Sequence, residues 1–366
     1  MKIKCTQQDL SSALSIVNRA VSSNNTLPVL NNIRITAENG ELKLSATNLE
    51  IAINATLMAE VEREGTITVP AKSITAYVGL IKKEMLELEL NGTELTIKST
   101  GTNTKMKGIA SDEFPLLPKI DSGLSLGLPA EAVRNSIDMV AFAASNNISR
   151  PVLTGIYWQL SGDSMKLAAT DSYRLAEKTM LLEEPITDDI NFILPAKTAQ
   201  ELSKILGMLG SETVEIQIGK GQIMFIANGV ELTSRLIEGN FPDYAKILPA
   251  ESKTKANLAT DDFVLALKKM SVIVRDNNNN VKLSIGDGKV SVVSDETQVG
   301  HGNSDLSADT EGDTQVTALN ASYILEVLSH LKDSHVHLGL NDGLSPVKVE
   351  PAQETGYVHI IMPLKV

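Results

Sequence analysis

An α+β fold built three times is predicted for this chain of 366 residues. Three observations predict it: a weak internal repeat, two amphipathic helical stripes per copy, and many short alternating strands. The clearest pair of copies is LPVLNNIRITAENGELKLSATNLEIA (27 to 52) and RPVLTGIYWQLSGDSMKLAATDSYRLA (150 to 176), which share a Pro-Val-Leu opening, a Gly-bearing turn and an Ala-Thr-Asn/Asp close. NVKLSIGDGKVSVVSDETQ (280 to 298) is a degraded third copy. Pro70, Pro195 and Asn320 stand 125 residues apart, each at the head of a helical pattern. A period that long means three copies of a domain, because solenoid repeats run about 20 to 50 residues. The domains are placed at 1–122, 123–250 and 251–366.

Each copy reads strand, helix, strands, helix, strands. The first helices are predicted around Gln7 to Ala20, Ala130 to Ala144 and Thr260 to Arg275, with stripes such as Leu10, Leu14, Val17 and Phe263, Leu267, Met270 at 3.6-residue spacing. The second helices are predicted over about Ala71 to Glu84, Ala196 to Leu209 and Asn320 to Asp333. Hairpin signals follow at Asn91-Gly92, Gly219-Lys220-Gly221 and Asn341-Asp342-Gly343. Each copy closes on an apolar residue before proline: Phe114-Pro115, Phe241-Pro242 and Met362-Pro363.

Charge is unevenly placed. The chain carries −12 overall, a balance that by itself argues against a nucleic-acid partner. The six predicted helices hold eleven basic residues against nine acidic ones, a surplus of two that leaves −14 on the rest. Asp9, Glu131, Asp261 and Asp262 fall in first turns, where carboxylates complement the helix dipole. The solvent faces of the helices are therefore the positive part of an acidic protein.

Much chemistry is missing. There is no nucleophile elbow, P-loop, dinucleotide fingerprint or zinc spacing, so no catalytic residue, no metal and no cofactor is assigned. All five histidines fall in the third copy, and His335 with His337 shares one strand face, the most a metal-dependent hydrolase reading can draw on. The Asp276 to Asn280 run lacks the glycine and closing glutamate of a calcium loop and reads as a connection. The single cysteine, Cys5, in an alternating apolar run, predicts a buried thiol in a reducing cytosol. No run of eighteen apolar residues occurs and MKIKCTQQDL has no apolar signal core, which predicts a cytoplasmic protein with no membrane span.

The strings ATDSYRLA (169 to 176), FPDYAKILP (241 to 249) and MPLKV (362 to 366), in this order and spacing within three copies, resemble the bacterial DNA polymerase III beta subunits, the sliding clamps. The resemblance runs from Met1 to Val366. It implies a head-to-tail homodimer closing a six-domain ring around double-stranded DNA, without catalytic activity. The implied partners are a second copy of the chain, the polymerase III alpha subunit, the clamp loader delta subunit, and other polymerases, mismatch-repair and ligase proteins that bring short peptides. Twelve helices at about 10 Å spacing line a hole of roughly 28 Å, wider than a duplex of roughly 20 Å. Contact would run through Lys and Arg to phosphates, without sequence preference.

Residue by residue, the resemblance implies a DNA-facing set of Arg19, Lys72, Lys82, Arg134, Lys197, Lys204 and Lys268, with Arg150 on a nearby loop. It implies a groove for clamp-binding peptides at Leu153, Thr170, Tyr173, Arg174, Leu175, Pro242, Lys246, Ile247, Pro346, Ile360, Met362, Pro363 and Leu364: an apolar trough with a cationic rim at Arg174 and Lys246. It implies a dimer interface with Lys105 and Met106 on an edge strand meeting Val272 and Ile273 of another copy's helix. The chain departs from the family at several points. Asn24 and Asn25 stand where relatives can carry Arg, Ser172 and Tyr173 where Gly and His are frequent, and Gly108 where a larger apolar residue would strengthen the joint. The alternative is a three-domain peptide-binding scaffold that does not encircle DNA.

Overall fold

The computed structural model describes residues 1–21, 27–117, 120, 124–275 and 278–364, with the side chains of Glu183 and Asp188 excepted. Asn24, Asn25, Asp276, Asn277, Lys365 and Val366, which figure in the readings above, lie outside the described residues.

Among the described residues six α-helices appear where the stripes predict them: α1 Gln7–Val17, α2 Ala71–Leu80, α3 Ala130–Val140, α4 Ala196–Leu209, α5 Thr260–Val274 and α6 Ala321–His330. Side-chain caps fix the starts of α1 and α6. The Thr6 hydroxyl accepts from the Asp9 amide at 3.1 Å, and the Asn320 side chain accepts from the Ser322 amide at 2.8 Å. The stripes are the buried faces: Leu10, Leu14, Val17, Ile74, Val78, Phe263, Leu267, Met270, Ile324 and Val327 are all inside. The buried Gln7 side chain donates to the Val78 carbonyl at 2.8 Å, tying the start of α1 to the end of α2.

The second helix stops earlier than its stripe predicts. Ile81 is extended rather than helical, so Lys82, Lys83 and Glu84 lie beyond α2. Lys332 likewise falls outside α6, and Arg275 caps α5. Within the observed helices six basic residues face seven acidic ones, so the predicted surplus of two becomes −1. The missing cations, Arg19, Lys82, Lys83, Arg275 and Lys332, sit within three residues past helix C-termini, where the dipole favours them.

All the strand pairing is antiparallel, in four sheets among the described residues. The chain forms two compact units: residues 1–134 with 201–236, and 135–200 with 237–366. In the first unit, one sheet orders Glu60–Arg63, Lys2–Thr6, Met85–Asn91, Glu94–Ser99 and Thr102–Lys107. Its second sheet has eight strands and runs from one copy into the next where Val230–Arg235 pairs with Ile51–Met58. In the second unit, a seven-stranded sheet makes the same crossing where Arg174–Pro195 pairs with Tyr357–Ile361. Its four-stranded sheet ends on Gly302–Ser307.

The turns follow the glycine signals in two copies. Gly92-Thr93 and Lys220-Gly221 close two-residue hairpins, with φ of +60° at Gly92 and +73° at Gly221. The Asn341-Asp342-Gly343 signal instead opens a six-residue loop between strands ending at Leu340 and starting at Val347. The Asp342 carboxylate accepts from the Leu344 and Ser345 amides there, which fixes a wider turn. Cys5 is buried, and burial pushes its thiol up to about 12. Among the described residues no helix is long and apolar enough to cross a membrane.

Candidate peptide groove and nucleic-acid interface

The thirteen residues implied for a peptide groove all fall in the second unit. Register brings the central ones together: Leu175 faces Ile360 and Arg174 faces Ile361 across adjacent strands. The Met362 amide donates to the Tyr173 carbonyl at 2.8 Å, continuing the pairing one residue past the strand. Leu175 and Ile360 are buried with Ala168 and Tyr244, and Tyr157, Phe241, Leu248 and Val358 pack around them. Tyr244 opens the short turn that carries Lys246 and Ile247, and Pro242 follows Phe241, so this wall stands on the buried Tyr244 ring and the half-buried rings of Phe241 and Tyr157. Ile247 is 43% exposed beside that floor, an apolar side chain open to solvent.

The Thr170 to Arg174 loop is rigidly bonded. The Thr170 hydroxyl donates to the Arg174 carbonyl at 2.6 Å, and the Asp171 carboxylate accepts from the Tyr173 and Arg174 amides at 2.9 and 3.1 Å. Ser172 sits at φ +81°, a left-handed conformation that favours glycine and explains why glycine suits this place. Tyr173 is left 61% exposed. Leu153 is buried in the turn Pro151–Thr154, and Arg150 just before it donates to the Ser172 hydroxyl at 3.2 Å. The C-terminal segment is held as well. The Leu364 amide donates to the Ala318 carbonyl at 2.8 Å, with Met362, Pro363 and Leu364 half-buried, and Pro346 precedes Val347, which faces Ile361.

Arg174 corrects the predicted rim. It is 8% exposed, and its guanidinium donates to Asp171, to Glu326 and to the Phe142 carbonyl while lying over the Phe142 and Tyr323 rings. A cation so enclosed and paired cannot serve as a free rim charge; it is a fastening between loop and helix. Of the two predicted rim cations, Lys246 alone reaches solvent, 83% exposed and 2.8 Å from Asp243.

Sequence reasoning missed the group behind Arg174. Phe142 stacks on His330 at 4.4 Å and on His359 at 5.5 Å. His359 is fully buried and no described group hydrogen-bonds either of its ring nitrogens. Desolvation, then the charges of Arg174 and His330, push its imidazole down to about 3. The available signal was position: His359 stands two residues from Tyr357 and from Ile361 on a strand whose alternate residues point inward. His335 and His337 both project outward from their strand, and no group of three potential ligand side chains forms among the described residues.

Seven of the eight cations implied for DNA fall into two groups, and Arg150, bonded to the Ser172 hydroxyl, belongs to neither. Arg19, 2.7 Å from Glu201, and Lys204, 2.8 Å from the same carboxylate, make a triad. Against desolvation, which raises it, bonds from Lys204 and Arg19 hold Glu201 below the usual carboxylate range. Arg134 donates twice to Glu131, at 3.0 and 2.6 Å. These three cations are therefore partly neutralised. Lys72, Lys82, Lys197 and Lys268 are exposed with no described carboxylate in ion-pair reach. Lys72 and Lys197 occupy first turns of α2 and α4, the helix ends where a cation is electrostatically misplaced. Helix stability does not account for them.

The residues implied for a dimer joint lie on exposed elements. Lys105 and Met106 are on Thr102–Lys107, an edge strand, with Lys105 2.8 Å from Glu94. Val272 is 73% exposed on α5, and Ile273 rests against Gly302 of the other edge strand. Gly108 has no room for the larger residue that would have suited the joint: a Cβ there meets the Thr68 carbonyl and the Ile67 side chain.

Models of three domains of one family match in order along the chain: the DNA polymerase III beta subunit N-terminal domain over 1–118, the central domain over 127–243 and the C-terminal domain over 245–365. The chain belongs to the DNA polymerase III beta-subunit family. Beta sliding clamps of Synechococcus elongatus and Bacillus subtilis are 30% and 29% identical to it, over 100% of this chain and 99% and 100% of theirs. Among solved structures, the Bacillus subtilis DNA polymerase sliding clamp superposes with a TM-score of 0.94 at 28% identity, covering 100% of this chain and 99% of that one. The beta subunit from the DNA polymerase of Streptococcus pyogenes gives 0.95 at 26% identity, covering both chains completely. In this clamp-family chain the Thr170 to Leu175 loop lies beside the strand end at Ile361, and Lys72, Lys82, Lys197 and Lys268 are exposed with no described ion pair.

Proposed function

We propose that this chain, a sliding clamp of the beta-subunit family, acts as a cytoplasmic head-to-tail homodimer that encircles double-stranded DNA and tethers the replicative polymerase, with no catalysis of its own. The observation that carries this reading is the unbroken order of three clamp domains over the whole chain. Domains at 1–122, 123–250 and 251–366 in each of two copies would supply six to the ring. Lys72, Lys82, Lys197 and Lys268 are the phosphate-binding groups best supported by exposure and by the absence of a described ion pair; Arg19, Arg134, Arg150 and Lys204 join them once DNA competes for their present partners.

The edge strands Thr102–Lys107 and Gly302–Ser307 would pair between copies, with Met106 against Val272 and Ile273. The cleft around Leu175, Ile360 and Met362 would take the short apolar peptides of the polymerase alpha subunit, the clamp loader delta subunit, other polymerases, and mismatch-repair and ligase proteins. Its floor is apolar and fixed, its wall exposes Ile247 and Tyr173, and Met362 lends adaptability. Retention on DNA tests the proposal. Loaded protein should stay on a closed circle and leave after linearisation; equal loss from both forms would overturn it and favour the non-encircling scaffold.

A further inference from the structure

A cleft in the first unit repeats the backbone of the Thr170 to Leu175 loop bond for bond. The Thr47 hydroxyl donates to the Ile51 carbonyl at 2.7 Å, and the Asn48 side-chain oxygen accepts from the Glu50 and Ile51 amides at 3.0 and 2.9 Å. Leu49 sits at φ +74°, as Ser172 sits at +81°. The Arg235 amide donates to the Glu50 carbonyl at 3.1 Å, in the place of the Met362 to Tyr173 bond. Behind the loop, Phe114 and Leu117 pack on Val29 and Leu30, and the Arg34 guanidinium lies 4.9 Å from the Phe114 ring where Tyr157 stacks on Phe241 in the other cleft.

The differences between the two clefts say what this one would hold. Ile51 replaces the enclosed Arg174, so its loop brings no buried charge. Arg235 is exposed, and no described carboxylate pairs with it. Leu116 is 96% exposed and Leu49 is 49% exposed. A leucine held left-handed with its side chain half in water is costly twice over, in backbone strain and in hydration, and such strain concentrates at binding sites. The space among them is about 170 Å³, room for one or two side chains of a short segment rather than a folded surface.

We propose that this cleft is a second docking site, for a short apolar peptide carrying one acidic side chain. The apolar residues lie against Leu49 and Leu116 and the carboxylate meets Arg235. Glu50, the other charge lining the cleft, repels a second carboxylate. The inference rests on reading the Thr170 to Leu175 cleft as a peptide groove.

Titration of the full chain, methyl-labelled at Leu and Ile, with acetyl-Leu-Asp-Leu-Phe-amide tests it by nuclear magnetic resonance. Saturable shifts at Leu49, Ile51 and Leu116 are expected. Arg235→Glu should weaken them at least fivefold, and the peptide with Lys in place of Asp should regain them in that variant. Shifts confined to Leu175, Ile247 and Ile360 would overturn the second site and leave the first reading standing. Shifts confined to Leu49, Ile51 and Leu116 would support the second site and show that this acidic peptide discriminates between the two clefts. Silence at both clefts would overturn both.

Discussion

The Arg174 guanidinium donates to the Glu326 carboxylate at 2.5 Å, fastening the loop that frames the peptide cleft to the middle of α6. Arg174 is nearly buried and Glu326 is 43% exposed, so removing either partner has unequal consequences. Arg174→Met strands the Phe142 carbonyl and frees the loop, an expected loss of about 3 kcal/mol in urea unfolding. Glu326→Gln leaves the guanidinium bonded to Asp171 and to the Phe142 carbonyl, and should lose about 1 kcal/mol or less. Equal losses would show that Arg174 works as a solvated charge.

The first-turn lysines separate DNA binding from stability. Lys72→Glu and Lys197→Glu put a favourable charge at a helix N-terminus, so the melting temperature should hold or rise slightly. DNA retention should fall, and the slope of log affinity against log salt should flatten by about one unit for each phosphate that is no longer neutralised. Falling stability alongside retention would mean that these side chains support the fold.

His359 predicts an acid limb to stability. Its folded pKa of about 3 lies below the ordinary histidine value, so the unfolded chain takes up the proton first. The contribution is intact above about pH 6.5 and drains away as pH falls toward 3, by up to about 1.4 kcal/mol per pH unit. His359→Phe should flatten that limb in unfolding measured from pH 7 to pH 4, whatever it does to stability at pH 7.

Ser172→Gly relieves a left-handed residue at a place where the Ser172 hydroxyl makes one exposed bond to Arg150. A gain of about 1 kcal/mol or less is expected, while Ser172→Val should lose more than that. Denaturant midpoints at unchanged slope decide it.

The helices were legible because a 3.6-residue stripe reports a buried face wherever the helix packs. Their ends were less so. Ile81 continues the stripe of α2 but is extended, which takes Lys82 and Lys83 out of the helix; with Arg19, Arg275 and Lys332 also past helix ends, the sign of the helix charge reverses. The cleft loop could be located from ATDSYRLA, since a local hydrogen-bond pattern follows local sequence. The state of Arg174 could not, because Phe142 and Glu326 reach it from 32 and 152 residues away. The crowding at Gly108 is hidden for the same reason: the Thr68 carbonyl beside it is distant in sequence.

The eight-stranded and seven-stranded sheets each carry hydrogen bonds across a copy boundary. The segment that recurs in the sequence is thus not the segment that unfolds as one. Excising 123–250 would bare the Val230–Arg235 edge on one side and the Arg174–Pro195 edge on the other, two sticky ribbons inviting aggregation. The seams of this molecule were closed by weaving each copy into its neighbour, and a cut along the repeat would fray both halves.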